Sequence, residues 1–222
     1  MPIKKFLCIL VVLWITGCAH QQAGKKYDYA KFRSENPHSI LIVPAINRSV
    51  DIDAPNYFLS SISQPIAERG YYVFPVNMVK EVMDDDGLSD ADMVHGGDPK
   101  RLAQIFGADS VMYISIDRWD ARYAVFKTTV TVELDYQLKS GKTGEILWNN
   151  KQVIAYSPQN SNSGGNPLAS LIASAIAAAI ERAAPNYMPL ARQANARAIG
   201  TAGEGLPAGP YDPQFMKDVT AF

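Results

Sequence analysis

The sequence predicts an α+β domain: a single mixed sheet of about five strands with helices packed on it, in the order β-α-β-α-β-β-β-α. Three observations lead there. Residues 39–43 (SILIV) form an unbroken β-branched and aliphatic run closed by Pro44, the pattern of a strand buried on both faces. Segments with apolar residues at helical spacing alternate with such runs as far as Gly107. Beyond it, Val130, Val132, Leu134, Tyr136 and Leu138 alternate with Thr129, Thr131, Glu133, Asp135 and Gln137, the clearest period-two signal in the chain.

The elements follow in order. After the first strand comes a polar loop over 47–53. Tyr57, Phe58, Ile62, Ile66 and Ala67 then predict a helix over 56–70, with Gly70 at the C-terminal cap and Pro65 as a kink point. Residues 71–76 (YYVFPV) read as a second strand, and Val79, Val82 and Met83 as a short helix dissolving into an acidic loop. Asp98-Pro99 is an N-cap followed by proline at the first helical position, and Leu102, Ala103, Ile105 and Phe106 supply that helix's apolar face before Gly107. A third strand over 110–116 leads through Trp119 into the alternating segment. The turn SGKTG (140–144) then folds it back onto 146–156 as an antiparallel hairpin. Val130, Val132, Leu134 and Tyr136 are expected to face a protein core.

Residues 157–167 (SPQNSNSGGNP) read as an exposed polar loop. An alanine-rich helix follows, whose apolar stretch over 168–180 is too short for a bilayer and suits close packing on the sheet. Pro185 and Pro189 are expected to break it before a helix resumes over 191–199. Glycines and prolines over 200–222 leave a tail that is neither helix nor central strand. Its stiff segment Pro207-Ala-Gly-Pro210 suits docking on the domain or on an adjoining subunit, with Leu206 and Tyr211 as apolar anchors and candidate partner contacts.

The amino terminus carries a different message. Lys4 and Lys5, the apolar run 6–15 and the sequence Ile15-Thr16-Gly17-Cys18 have the form of a lipoprotein signal peptide (1–17) ending at a lipobox. Cys18 is therefore the expected lipidation site, and several acyl chains there hold far more firmly than one. Polar residues 18–37 read as the lipidated cysteine and its tether, 38–200 as the domain and 201–222 as the tail. Loss of the signal peptide leaves 19 basic against 22 acidic side chains, which gives no reason to expect nucleic acid as a partner. Cys8 leaves with it and Cys18 is committed to lipid, so no disulfide is expected.

Motifs that imitate chemistry do not hold. Gly141-Lys142-Thr143 resembles the end of a phosphate-binding loop, but the motif's first glycine would fall on Tyr136 and the segment joins two strands. Asp84, Asp85, Asp86, Asp90 and Asp92 suggest a calcium loop, yet with Gly87 at the turn the first ligand falls on Val82 and no glutamate closes it. His20, His38 and His95 are scattered, and neither G-x-S-x-G nor S-x-x-K occurs. The expectation is a non-enzymatic protein without cofactor or metal. Trp119, Tyr123 and Trp148 are read as sheet residues, with a partner-facing patch as the alternative.

Residues 40–44 with Asn47-Arg48-Ser49, and Gly107-Ala-Asp-Ser-Val111 leading into a strand, resemble periplasmic lipoprotein domains related to the amino-terminal domain of TolB, a plan shared by CsgG and LpoB. Gly144-Glu-Ile-Leu-Trp148, the Ser/Asn/Gly loop, the alanine-rich helix and Gly205-Leu-Pro-Ala-Gly-Pro-Tyr-Asp-Pro213 resemble more closely a lipoprotein family that includes a genome-derived neisserial antigen. Its members are typically encoded beside a CsgG-like lipoprotein. The resemblance supplies no catalytic residue. It implies an outer-membrane, periplasm-facing lipoprotein, held by outer-membrane lipid through acylated Cys18, that is an accessory or assembly subunit of a CsgG-like envelope transport complex. Its partner would be a CsgG-like lipoprotein or another envelope protein, and a homo-oligomer stays open. Ala19, in place of the inner-membrane-retaining aspartate, agrees with that destination. The alternatives are an LpoB-like regulator of a cell-wall enzyme and an envelope hydrolase without a recognisable motif. Channel-forming relatives need two membrane hairpins per subunit, and this chain offers one, over 123–156.

Overall fold

Pro44 splits the first apolar run into two short strands, β1 (Ser39–Ile42) and β2 (Ile46–Asn47), in the computed structural model, which describes residues 27–124, 127–157 and 187–222. Both run parallel to one long strand, β4 (Ser110–Ala124), with Ile42 opposite Met112 and Ile46 opposite Ser115. Strand β3 (Tyr72–Val73) pairs parallel on the other side of β1. Beyond β4 the sheet becomes an antiparallel meander through β5 (Lys127–Ser140) and β6 (Ile146–Tyr156). Among the described residues the sheet thus has six strands, in the order β3-β1-β4-β5-β6 with β2 beside β4, one more than the sequence predicts because proline removes a ladder donor.

Among the described residues, six helices accompany the strands: α1 (Ala30–Glu35), α2 (Ala54–Glu68), α3 (Val76–Asp85), α4 (Ala91–Gly96), α5 (Pro99–Phe106) and α6 (Met188–Gly200). Helices α1, α2 and α6 share one face of the sheet, where Phe58, Ile62, Ile66, Leu190, Ala194 and Ala198 bury against Ile114, Val132, Leu134, Tyr136 and Trp148. Helices α3, α4 and α5 cover the other face over β1 and the start of β4, through Val79, Met83, Val94 and Leu102 on Leu41, Val43, Val111 and Tyr113. The opposite face of the meander carries instead an ion-pair ladder, in which Asp117 meets Arg48 and Lys151 at 3.0 Å each and Lys151 reaches Glu133 at 2.9 Å. A bulge at Ile116/Arg118 switches the phase of β4, which is why Ile114, Ile116 and Trp119 all reach the same core.

The alternating residues of β5 behave as expected: Val130, Val132, Leu134, Tyr136 and Leu138 are fully buried. Trp119 and Trp148 are buried too, so neither is a partner-facing patch. The Tyr136 hydroxyl donates to Asn195 Oδ1 at 2.6 Å, and Asn195 Nδ2 donates to Ser61 Oγ at 3.0 Å, a buried relay that satisfies every polar group it joins and ties β5 to α6 and α2.

Three expectations change. Residues 27–37 are not tether: Tyr29 and Phe32 are buried and α1 packs on the sheet, because aromatic residues interleave the charges. The resumed helix, α6, begins at Met188 rather than Ala191, so Pro189 stands in its first turn, where its missing N–H costs nothing. Pro65 lies in the last turn of α2, which continues to Glu68. The polar loop 157–167 and the alanine-rich segment 168–180 fall outside the described residues.

Residues 201–222 form a strap across the domain. Leu206 is fully buried, and its amide donates to Ile199 O at 2.9 Å. Tyr29 and Tyr71 donate their hydroxyls to Gly205 O (2.6 Å) and Pro207 O (2.8 Å). Arg69 donates to Leu206 O at 2.7 Å and pairs with Asp218 at 2.9 Å, and Asp218 also accepts from the Ala208 amide at 2.7 Å. The guanidinium of Arg69 sits 4.5 Å over the Phe222 ring, and Arg33 donates to the Phe222 main-chain oxygen. Glycine is required where strap and domain interlock: a Cβ on Gly209 would lie 2.3 Å from Gly70 O, and Gly70 itself has φ +83 with a Cβ position 2.4 Å from Asp212 N.

Burial pushes the phenols of Tyr29, Tyr71 and Tyr136 well above their ordinary value of 10.0, and that of Tyr113 up to about 12. The folded state therefore keeps protons that the unfolded chain releases above pH 10. Stability is fully present below that pH and falls as pH rises through the folded values, by about 1.4 kcal/mol per pH unit for each retained proton. Denaturation midpoints measured from pH 8 to 11.5 are expected to be flat and then to drop. Tyr113→Phe should soften the drop, and a curve flat throughout would contradict this burial.

Candidate functional site

In the acidic segment that resembles a calcium loop, Asp90 caps a helix, Asp84 pairs with Lys80 and Asp86 edges a cleft. Asp90 caps α4, its carboxylate accepting from the Asp92 and Met93 amides at 2.8 and 3.4 Å. Asp98 caps α5 through the Lys100 amide at 3.0 Å, as the Asp98-Pro99 pair predicts. The Leu88 amide closes the end of α3 on Met83 O at 2.7 Å, and Gly107, at φ +69, ends α5. Among the described residues no group of three His, Cys, Asp or Glu is placed to hold a metal ion.

These three short helices enclose an open cleft of about 470 Å³. Val94 and Leu102 form its buried floor, Met93 and Ile105 its exposed apolar rim, and Asp86, Asp98 and Arg101 its charged edge. Met93 is 63% exposed and Ile105 51%. Met78 and Val82, also exposed, precede Asp86 on α3 at four-residue spacing and extend the apolar stripe along one helix face.

Below the cleft, His95 holds α4 to the end of β1. Its Nε2 lies 3.0 Å from Pro44 O, so the neutral ring carries its proton there and donates it to that carbonyl. The ring meets Tyr113 edge to face at 5.0 Å, and burial lowers its pKa, so the contact belongs to the uncharged imidazole. The Tyr113 ring lies under Lys139, whose Nζ is 4.5 Å from its centroid. His95 and Tyr113 are thus a positioning pair between helix layer and sheet.

The residues singled out from sequence are dispersed. Leu206 lies in the core and is unavailable to a partner as the fold stands, whereas Tyr211 is 71% exposed although its amide donates to Gly70 O at 3.1 Å. A smaller apolar cavity of about 140 Å³ lies beside the strap between Phe32, Tyr71, Phe215 and Val219. Cys18 falls outside the described residues. Sequence reading missed the cleft, because helix α4 is six residues long and its apolar members are too few to show a period. The exposed Met78 and Met93, inside an acidic run, were the available signal.

Comparison with known proteins agrees with this fold. Residues 27–211 match the sequence model of the family described as "Putative lipoprotein GNA1162-like". A relative from Neisseria meningitidis serogroup B, described as "Putative lipoprotein NMB1124/NMB1162", is 36% identical over 158 residues, 71% of this chain and 73% of its own. The crystal structure of lipoprotein GNA1162 from Neisseria meningitidis superposes with a TM-score of 0.55 at 35% identity, covering 66% of this chain and 99% of that one. The LpoB C-terminal domain from Escherichia coli superposes with a TM-score of 0.35 at 21% identity, over 54% of this chain and 84% of its own. With matches across most of its length, this chain belongs to the GNA1162-like lipoprotein family.

Proposed function

We propose that the protein is an outer-membrane lipoprotein, anchored through acylated Cys18 and facing the periplasm. It works without catalysis, as an accessory or assembly subunit of an envelope transport complex whose partner is a CsgG-like lipoprotein. The supporting observation is the reach of the anchor. Tyr27, whose amide bonds Gly203 O at 2.9 Å, already belongs to the packed domain and stands only nine residues after Cys18. At 3.3–3.6 Å per residue that connection spans at most about 32 Å, so the domain stays against its own membrane. A regulator of an inner-membrane cell-wall enzyme needs a longer arm, and the LpoB-like alternative is the weaker reading for that reason. Tyr211, exposed on the strap, remains a proposed partner contact; Leu206 serves the fold.

Two measurements test this. Cys18→Ser is expected to abolish incorporation of labelled fatty acid and to remove the protein from the outer-membrane fraction. Recovery there with unchanged mobility and label would overturn the anchor. From detergent-solubilised envelopes, the wild-type protein is expected to co-purify with an outer-membrane transport lipoprotein. Co-purification with a cell-wall synthase instead would favour the regulator.

A further inference from the structure

We propose that the cleft between α3, α4 and α5 receives a basic amphipathic helix of an envelope partner protein. This deepens the reading above and rests on it for the source of the partner. Shape comes first. The cleft lies between helices, with an aliphatic floor of Val94 and Leu102, and its walls carry exposed Met93 and Ile105. An apolar groove of this kind takes the apolar face of a helix through anchors one turn apart, and thioether side chains adapt to it.

Charge chooses the sign. Residues 76–106 hold seven acidic and three basic side chains, in a chain whose net charge is only −1. Two of those three cations are already engaged locally, Lys80 with Asp84 and Lys100 3.7 Å from Asp98. Asp86 and Asp98 line the apolar opening with the third cation, Arg101, and exposed Asp84, Asp85, Asp90 and Asp92 stand on the elements around it, a net acidic surrounding that complements a segment carrying lysine or arginine beside its apolar face. The same surplus opposes the other occupants. An anionic lipid surface is repelled, and a second copy in an isologous contact would bring acidic rim against acidic rim.

The test uses the full acylated chain in a non-ionic detergent, with detergent alone as the blank. The probe is a fluorescent Leu/Lys amphipathic peptide of about 18 residues, five helical turns, compared with a Leu/Glu peptide of the same apolar face. The Leu/Lys peptide is expected to bind at least about tenfold more tightly, and its affinity to fall as salt rises. Asp85→Lys with Asp86→Lys should weaken binding by at least about tenfold without lowering the melting temperature, because cations are favoured at the carboxyl end of α3. Ile105→Asp should weaken it similarly, as should Met93→Asp. If a lysine variant lowers the melting temperature, Asp85→Asn with Asp86→Asn reads the same contact. Equal binding of both peptides, or affinity indifferent to these changes, overturns the proposal. Self-association abolished by Ile105→Asp assigns the cleft to a second copy, and binding to anionic vesicles abolished by that change assigns it to lipid; either outcome overturns it too. Peptide binding is read without any envelope partner, so its failure leaves the co-purification result standing, and the converse holds.

Discussion

Val132→Asp is expected to abolish the folded state. Val132 is fully buried at the middle of the sheet, paired with Trp119 on β4 and Ile154 on β6, both buried. A carboxylate there is buried in an apolar cluster, at a cost of several kcal/mol, comparable to the whole stability of a domain. Far-ultraviolet circular dichroism and a thermal melt should show loss of the cooperative transition. Val132→Ile, which keeps the apolar surface, should retain the transition. An unchanged melting temperature for the aspartate variant would mean that this face of the hairpin is exposed, and would return it to a membrane or partner role.

Deleting residues 201–222 is expected to be nearly as damaging. The deletion uncovers the pocket filled by Leu206, Ala208 and Phe222, three buried apolar side chains, of which the leucine and phenylalanine each contribute about 1.5–3 kcal/mol on burial. It also strips the hydroxyls of Tyr29 and Tyr71 of their acceptors and takes Asp218 from Arg69. Buried groups left unpaired cost roughly 1–3 kcal/mol each, so the loss rivals a typical total stability. Chemical denaturation of the truncated chain should show an unfolded or severely weakened domain. A midpoint within error of wild type would mean that the strap is dispensable. Gly209→Val separates interlock from burial: it leaves the apolar anchors intact, yet its Cβ collides with Gly70 O.

The parts of this molecule that repeat a local rule were legible. Alternation along β5 needs only the two-residue period, and the Asp98-Pro99 start of α5 only its caps, so both were readable from a few residues. The features that escaped depend on distant residues. Nothing between 27 and 37 announces that Tyr29 will find Gly205 O, 176 positions away, so the segment passed for a tether. The same distance hid Leu206, whose burial depends on α6, and the relay through Asn195, which no helical pattern distinguishes from a surface asparagine. The cleft escaped for another reason. Its walls are short helices, and Asp90, which looks like a metal ligand in sequence, is shown only by their arrangement to cap one of them by accepting backbone amides.

The proposed role requires a lipid-held domain that acts by contact with an envelope protein at its helical layer. Photo-crosslinking in intact cells tests it most directly. A photoreactive residue is placed at Ile105 in the cleft or, as a control, at Val153 on the exposed sheet face, and adducts are identified by mass spectrometry. The account predicts one defined adduct from position 105, to an envelope protein presenting a basic amphipathic segment, and its disappearance when Cys18→Ser releases the domain from the membrane. Adducts from position 153 alone, or an adduct at 105 that survives loss of the anchor, would contradict it.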